Sequence, residues 1–247
     1  MSINGIDVYK KSKDAVVIVQ SVYNFNSEFN NISSGFFVSK DGYIVTCAHS
    51  VKNYDVFLGN GFLSPDQILV TAFNVNGKGK SKVFNANLIG VDGALDVAVI
   101  KINVTNQTFL DFGVSRDVEP GSIVYTIGFT LLRDVSSFTA GTMRDNNWST
   151  DLYPFETLFV SNSSFPGNSG GPVLNSKGQI IGMVSFTLDQ NEFFNDVADN
   201  AAGCVSQFMM ERVVKEMIET KVKKVKSFIG IKKSKLNISK THIYENE

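Results

Sequence analysis

The chain has 247 residues, 43% hydrophobic and 19% charged, with a formal net charge of −1. That is enough apolar chain to bury a sizeable core, and too even a charge to imply a nucleic-acid or membrane-surface partner for the whole molecule. Two cysteines, Cys47 and Cys204, exclude a disulfide framework as the source of stability.

Residues 1–19, MSINGIDVYKKSKDAVVIV, carry no signal-peptide pattern: the apolar run at 15–19 is short and follows Asp14. No later run reaches the roughly 18 apolar residues of a membrane span. The chain therefore reads as one of a reducing, intracellular compartment, with both thiols free and buried. From 15 onward the pattern is short apolar or alternating runs at 15–22, 35–39, 43–47, 54–58, 68–73, 83–91 and 97–102. More follow at 122–129, 137–143, 157–161, 172–174 and 180–187. Between them stand turn signals: Lys40-Asp41-Gly42, Asn76-Gly77-Lys78-Gly79 and Ser176-Lys177-Gly178. About a dozen strands with no helices between them point to an all-β sandwich or pair of barrels.

One helical pattern runs from 206 to 224. Val213, Val214, Met217 and Ile218 form an apolar stripe, expected to pack on the second barrel, and Glu211 and Lys215 an i,i+4 pair. Residues 221–240 are basic, and 225–247 read as a tail too short and too polar to form a domain.

Three short strings carry chemistry. In Phe165-Pro-Gly-Asn-Ser-Gly-Gly-Pro-Val-Leu174, three glycines crowd one serine. Attack on a peptide carbonyl needs a serine whose own N–H, with a neighbour's, can meet the developing oxyanion; Gly167 and Ser169 are placed to supply them. In Tyr43-Ile-Val-Thr-Cys-Ala-His-Ser-Val51 a strand runs into His49, one of only two histidines. In Asp92-Gly-Ala-Leu-Asp-Val-Ala-Val-Ile, Asp96 directly precedes an apolar strand, where a buried carboxylate can fix an imidazole tautomer. Asp92 is the competitor, but its Asp-Gly pair reads as a solvent-facing turn.

The order His49, Asp96, Ser169 is that of the chymotrypsin group. Gly167-Asn-Ser-Gly-Gly171 also satisfies a loose nucleophile-elbow pattern. That alternative, a non-proteolytic esterase, requires His242 as base and alternating strands and helices.

The strings SGFFVSKDGYIVTCAHSV, DVAVIKI and PGNSGGPVLNSKGQIIGMVS, with the helix that follows, resemble the HtrA/Deg family of trypsin-fold serine proteases. The resemblance runs from about residue 10 to about 230 and implies two perpendicular six-stranded antiparallel barrels, about 10–108 and 115–206, with the triad between them. It implies a serine endopeptidase acting on protein or peptide substrates, with no metal or cofactor; a homo-oligomer is left open. By the same resemblance Ser185 lines the site near the aspartate, and Ser185, Phe186 and Thr187 pair with substrate as an added strand. Ser163 falls at the base of the primary pocket with Ser164 beside it, and Thr187 and the segment from Gly203 to Val205 fall in its walls. With no acid at the base to pair with Lys or Arg, and with Thr187 making the pocket too shallow for aromatic rings, the expected preference is for small or medium aliphatic side chains before the cut. Members usually continue into a PDZ domain; here Ser227-Phe-Ile-Gly-Ile231 looks like the entry to one, with about sixteen residues beyond it. The alternative on the same fold is a catalytically silent binding module.

Overall fold

The computed structural model describes residues 4–55, 61–130, 136–149, 155–188 and 201–222. The tail at 225–247, His242 included, lies outside the described residues.

Fifteen strands appear among the described residues. The first half holds β1 (Val16–Val22), β2 (Asn31–Phe37), β3 (Tyr43–Thr46), β4 (Asn53–Asp55), β5 (Gly61–Leu63), β6 (Gln67–Ala72), β7 (Lys82–Asn85), β8 (Asn87–Asp92) and β9 (Val97–Lys101). The second holds β10 (Ile123–Phe129), β11 (Ser136–Trp148), β12 (Thr157–Ser163), β13 (Pro172–Leu174), β14 (Ile180–Leu188) and β15 (Ala201–Ser206). Helix α1 (Gly5–Ser12) precedes the first half, α2 (Ala48–Val51) lies within it, and α3 spans 207–222.

The second half closes into a six-stranded barrel in the order β10-β11-β12-β15-β14-β13. The first half is a seven-stranded sheet ordered β7-β6-β1-β2-β3-β9-β8, with β4 and β5 a separate hairpin. Its outermost strands, β7 and β8, are separated in sequence by Ala86 alone, so the sheet has to curl until its two edges meet. The run at 83–91 is thus one strand broken at Ala86, whose N–H turns to the Ile68 carbonyl at 2.8 Å. The all-β, two-lobed architecture expected from the strand pattern is the one observed.

Strand periodicity explains why so many positions are buried on both faces. Along β9, Ala98 and Ile100 fill the interior of the first half, while Val97 and Val99 face the other way. Along β14, Ile181 and Val184 fill the closed barrel, while Ile180 and Met183 face outward. The outward residues of both halves meet in a third cluster, with Phe36 and Val45 from one side and Tyr125, Ile127 and Phe129 from the other. This shared core fixes the cleft between the halves.

The terminal helices cross that junction in opposite directions. Helix α1 begins at Asn4, whose side chain accepts from the Asp7 N–H at 3.0 Å. It lies on the second half: Gly5 abuts the Tyr125 ring, and the Tyr9 and Phe138 rings are 5.3 Å apart. Helix α3 corrects an expectation, because its stripe does not pack on the second barrel alone. Met210 and Val214 enter the shared core, and Met217 lies against Gly90 on β8 of the first half.

Met210 is fully buried in the shared core. Met210→Ala is therefore expected to lower unfolding free energy by about 2–5 kcal/mol. Val222→Ala, at the 36%-exposed end of the helix, should stay within about 0.5 kcal/mol. Urea denaturation of the two variants beside the parent chain checks the contrast.

Candidate active site

The site forms where three elements end. Strand β3 runs into α2, a single turn that carries His49; β9 starts immediately after Asp96; and the loop between β12 and β13 carries Ser169. Asp96 has φ +54, a left-handed conformation that Asp tolerates better than most residues. Its backbone carbonyl accepts the Ala48 N–H at 3.1 Å. Its carboxylate accepts the His49 backbone N–H at 3.0 Å through Oδ1, and faces His49 Nδ1 at 2.8 Å through Oδ2. The Ser185 hydroxyl donates to the same Oδ2 at 2.5 Å.

Burial pushes the Asp96 carboxyl up, but the His49 ring bond and charge, the Ser185 hydroxyl and the His49 backbone N–H together pull it below the ordinary carboxylate range. An ionised carboxylate can only accept, so Nδ1 carries the proton and Nε2 is left as the basic nitrogen. The His49 side chain is 46% exposed and that of Asp96 25%. The imidazole is thus open to the cleft while its carboxylate partner is largely shielded.

Ser169 Oγ lies 3.5 Å from the Ser185 carbonyl and makes no hydrogen bond to His49. Such bonds are commonly long or unformed in a resting site and tighten with substrate. On either side of it the loop is held by its own backbone: Asn168 N–H donates to Phe165 O and Gly171 N–H to Asn168 O, both at 2.9 Å. Gly170 N–H donates to Val184 O at 2.8 Å. The N–H groups of Gly167 and Ser169 donate to no other described residue, which leaves two backbone donors unspent beside Ser169. Gly167 takes φ +102, which a side chain would resist.

Asp92, the competing aspartate, uses Oδ1 to accept the N–H groups of Ala94 and Leu95, each at 3.0 Å. It caps the turn that delivers Asp96. The esterase alternative fails on topology, because the serine loop leads into β13, not into a helix. Cys47 Sγ, His49 and Asp96 come within 4.8 Å of one another, but this is a poor metal site. Burial and the Asp96 charge push the Cys47 thiol up well above its ordinary value, it donates to Val184 O at 3.3 Å, and the Asp96 carboxylate is already engaged by His49 and Ser185. Cys204 is likewise a buried free thiol.

Among the residues expected near the primary pocket, Ser163 is exposed at the end of β12 and Ser164 is buried. Strand β15 sets Ala201 opposite Ser163, and Ala202 opposite Thr187 on β14. Gly203 is covered by the Phe186 ring: a Cβ there would come 2.1 Å from Phe186 Cε2. A cavity of about 60 Å³ beside Asp96 is lined by Leu95, Phe155, Thr157, Ser185 and Phe186 among others. Sequence reading passed over Ser34, a fully buried serine of β2 that bonds to the nucleophile loop. Its run, Asn30-Asn-Ile-Ser-Ser34, is polar and gives no alternation by which to single it out.

Two lobes meeting at a His–Asp pair and a glycine-flanked serine define the class. Residues 33–183 match the family described as the trypsin-like peptidase domain, and the chain belongs to that family.

Its relatives are named serine endoproteases. The chain is 29% identical over 196 residues to serine endoprotease DegS of Haemophilus influenzae, covering 78% of this chain and 51% of that protein. It is 35% identical over 163 residues to a probable periplasmic serine endoprotease, DegP-like, of Halomonas elongata, covering 65% and 30% respectively. The chain thus spans about half or less of the length of these relatives. In fold it matches the HtrA-type protease AlgW with a TM-score of 0.71 at 20% identity, covering 88% of this chain and 64% of that one. The serine endoprotease from Yersinia pestis gives 0.68 at 21% identity, covering 87% and 67%.

The depressed Asp96 carboxyl ties stability to pH. A group whose folded pKa lies below its unfolded value of about 3.9 contributes stability that is present above that value and lost as pH falls through the folded one. Asp96→Asn should therefore unfold more easily than the parent at pH 7, and the gap should narrow below about pH 4. Melting curves from pH 7 to pH 3 check this; a gap of constant size would contradict it.

Proposed function

We propose that the protein is a serine endopeptidase that cleaves protein or peptide chains through an acyl-enzyme. The observation that carries the reading is the hydrogen-bonded run Ser185–Asp96–His49, ending beside the loop of Ser169. Asp96 holds the imidazole with Nδ1 protonated, and His49 Nε2 accepts the Ser169 proton as Oγ attacks the scissile carbonyl. The oxyanion takes hydrogen bonds from the N–H groups of Gly167 and Ser169. His49 then returns its proton to the departing amine, and water, activated by the same nitrogen, releases the acyl group. The substrate runs along β14 at Ser185, Phe186 and Thr187 as an added strand.

The test is turnover of a protein substrate such as casein. Ser169→Ala should lose activity by a factor on the order of 10⁶ while melting like the parent, because the hydroxyl contributes little packing. His49→Ala should be similarly inactive. Protein cleavage by Ser169→Ala purified free of contaminating protease would overturn the assignment. Fluorophosphonate labelling at residue 169 in the parent separates an active nucleophile from a silent module.

The side chain before the cut is read from the same loop. By the resemblance Ser163 and Ser164 form the base of the primary pocket and Thr187 with the segment from Gly203 to Val205 its walls, and none of these residues is charged. Such walls favour Val, Ala, Ile or Leu over Lys, Arg or aromatic residues. A methylene in such a pocket is worth roughly 1–3 kcal/mol, so the preference should be graded. Cleavage-site profiling on a denatured proteome reads it directly; a majority of basic or aromatic residues before the cut would refute it.

A further inference from the structure

Ser34 belongs to β2 of the first half, yet its hydroxyl and its backbone N–H are spent on the serine loop and on β10 of the second. It is fully buried. Its hydroxyl donates to the Gly167 carbonyl at 2.7 Å and accepts the Phe129 N–H at 2.8 Å. Its backbone N–H donates to the Ser169 carbonyl at 2.8 Å, and its carbonyl accepts the Thr46 hydroxyl at 2.7 Å. One residue therefore holds two carbonyls of the nucleophile loop, those of the two residues whose N–H groups are free.

The consequence follows from peptide planarity. Fixing the Gly167 carbonyl from one side, while the N–H of the same peptide unit donates to Phe165 O, fixes the plane between Gly167 and Asn168. The next plane is held through the bond from Gly171 N–H to Asn168 O, and the one after it through the bond from Ser34 N–H to Ser169 O. The free N–H of Ser169 belongs to the second of these planes, and that of Gly167 directly precedes the first. With both flanks set, the loop cannot turn its carbonyls into the space the oxyanion needs.

We infer that Ser34 is a positioning residue for the oxyanion donors, bracing the Gly167–Ser169 loop from the opposite half of the molecule. This rests on the reading of the site as a serine peptidase. Ser34 touches no reacting atom. It acts through the two amides, so its removal weakens binding of the tetrahedral state more than binding of substrate.

The experiment compares the parent with Ser34→Ala and Ser34→Cys, after thermal melting has shown which variants fold. Two readouts are taken: steady-state kinetics on a peptide amide, and affinity for a peptide boronate, whose adduct with Ser169 is tetrahedral. Ser34→Ala should lower kcat about tenfold to a hundredfold with KM within about twofold, since small displacements of reacting groups carry penalties of that size. Boronate affinity should fall by a similar factor. Ser34→Cys, a weaker donor of similar shape, should fall between, and it decides the matter alone if the alanine variant does not fold. A folded variant whose kcat and boronate affinity stay within twofold of the parent overturns the inference. So does a loss confined to KM or to melting temperature. An inactive parent that also fails to bind the boronate would instead remove the peptidase reading itself.

Discussion

The largely shielded carboxylate of Asp96 is the constraint around which the cleft is organised. A charge that is three-quarters shielded is tolerated only when its lone pairs are filled, and here they are filled from three directions. The His49 turn supplies a backbone N–H and a ring N–H, and β14 of the other half supplies the Ser185 hydroxyl. The backbone of Asp96 pays for this with a left-handed φ of +54. Such strain amounts to about 1–3 kcal/mol and persists only where surrounding contacts over-determine it. The two bonds from His49 that offset it also fix the imidazole, so the interactions that make the carboxylate tolerable also hold the ring.

That arrangement requires the two halves to hold one fixed separation. The shared apolar core sets it first, because strands such as β9 and β14 present one face inward and the other to the junction. The terminal helices add a second restraint by crossing over. Helix α1 precedes the first half in sequence but lies on Tyr125 and Phe138 of the second. Helix α3 follows the second half and reaches back to Gly90 of the first. Ser34 supplies a third restraint, polar and short, beside Ser169 itself. Apolar burial fixes distance only loosely, whereas hydrogen bonds of 2.7–2.8 Å from one residue to the loop and to β10 fix orientation.

How much of this could be read from the chain depended on how local each signal was. The features that separate Asp96 from Asp92, an aspartate abutting an apolar strand and an aspartate in an Asp-Gly pair, are each contiguous in sequence. Strand β15, Ala201–Ser206, escaped notice as a strand because Ala-Ala-Gly-Cys-Val-Ser offers small residues and no alternation. Its burial comes from β12 and β14 on either side, which bring no local pattern with them. The eight residues of α1 were too few to stand out beside the strand they precede. The direction of the α3 stripe was a tertiary matter: its periodicity gave a buried face but not the surface it meets. Ser34 is the extreme case, since the partners of its hydroxyl lie 95 and 133 residues further along the chain.

The two glycines that follow Ser169 also originate in close packing, Gly170 between the halves and Gly171 within the second. A Cβ on Gly170 would stand 2.1 Å from Ser34 O and 2.6 Å from Thr46 Oγ1, both in the first half. On Gly171 it would stand 2.4 Å from Ile127 O of β10. No rotamer relieves such contacts, because the opposing atoms are mostly backbone. The Gly-Gly pair after the serine is therefore imposed by how closely β2 and β10 approach the loop, in addition to any dihedral the turn prefers. That closeness lets Ser34 reach Gly167 and Ser169 at all. A loop built with side chains at 170 or 171 would stand away from β2, lose both of those hydrogen bonds, and leave its carbonyls free to turn. The string Gly-Asn-Ser-Gly-Gly reads as distinctive in sequence because two requirements, close approach and aimed amides, converge on the same few residues.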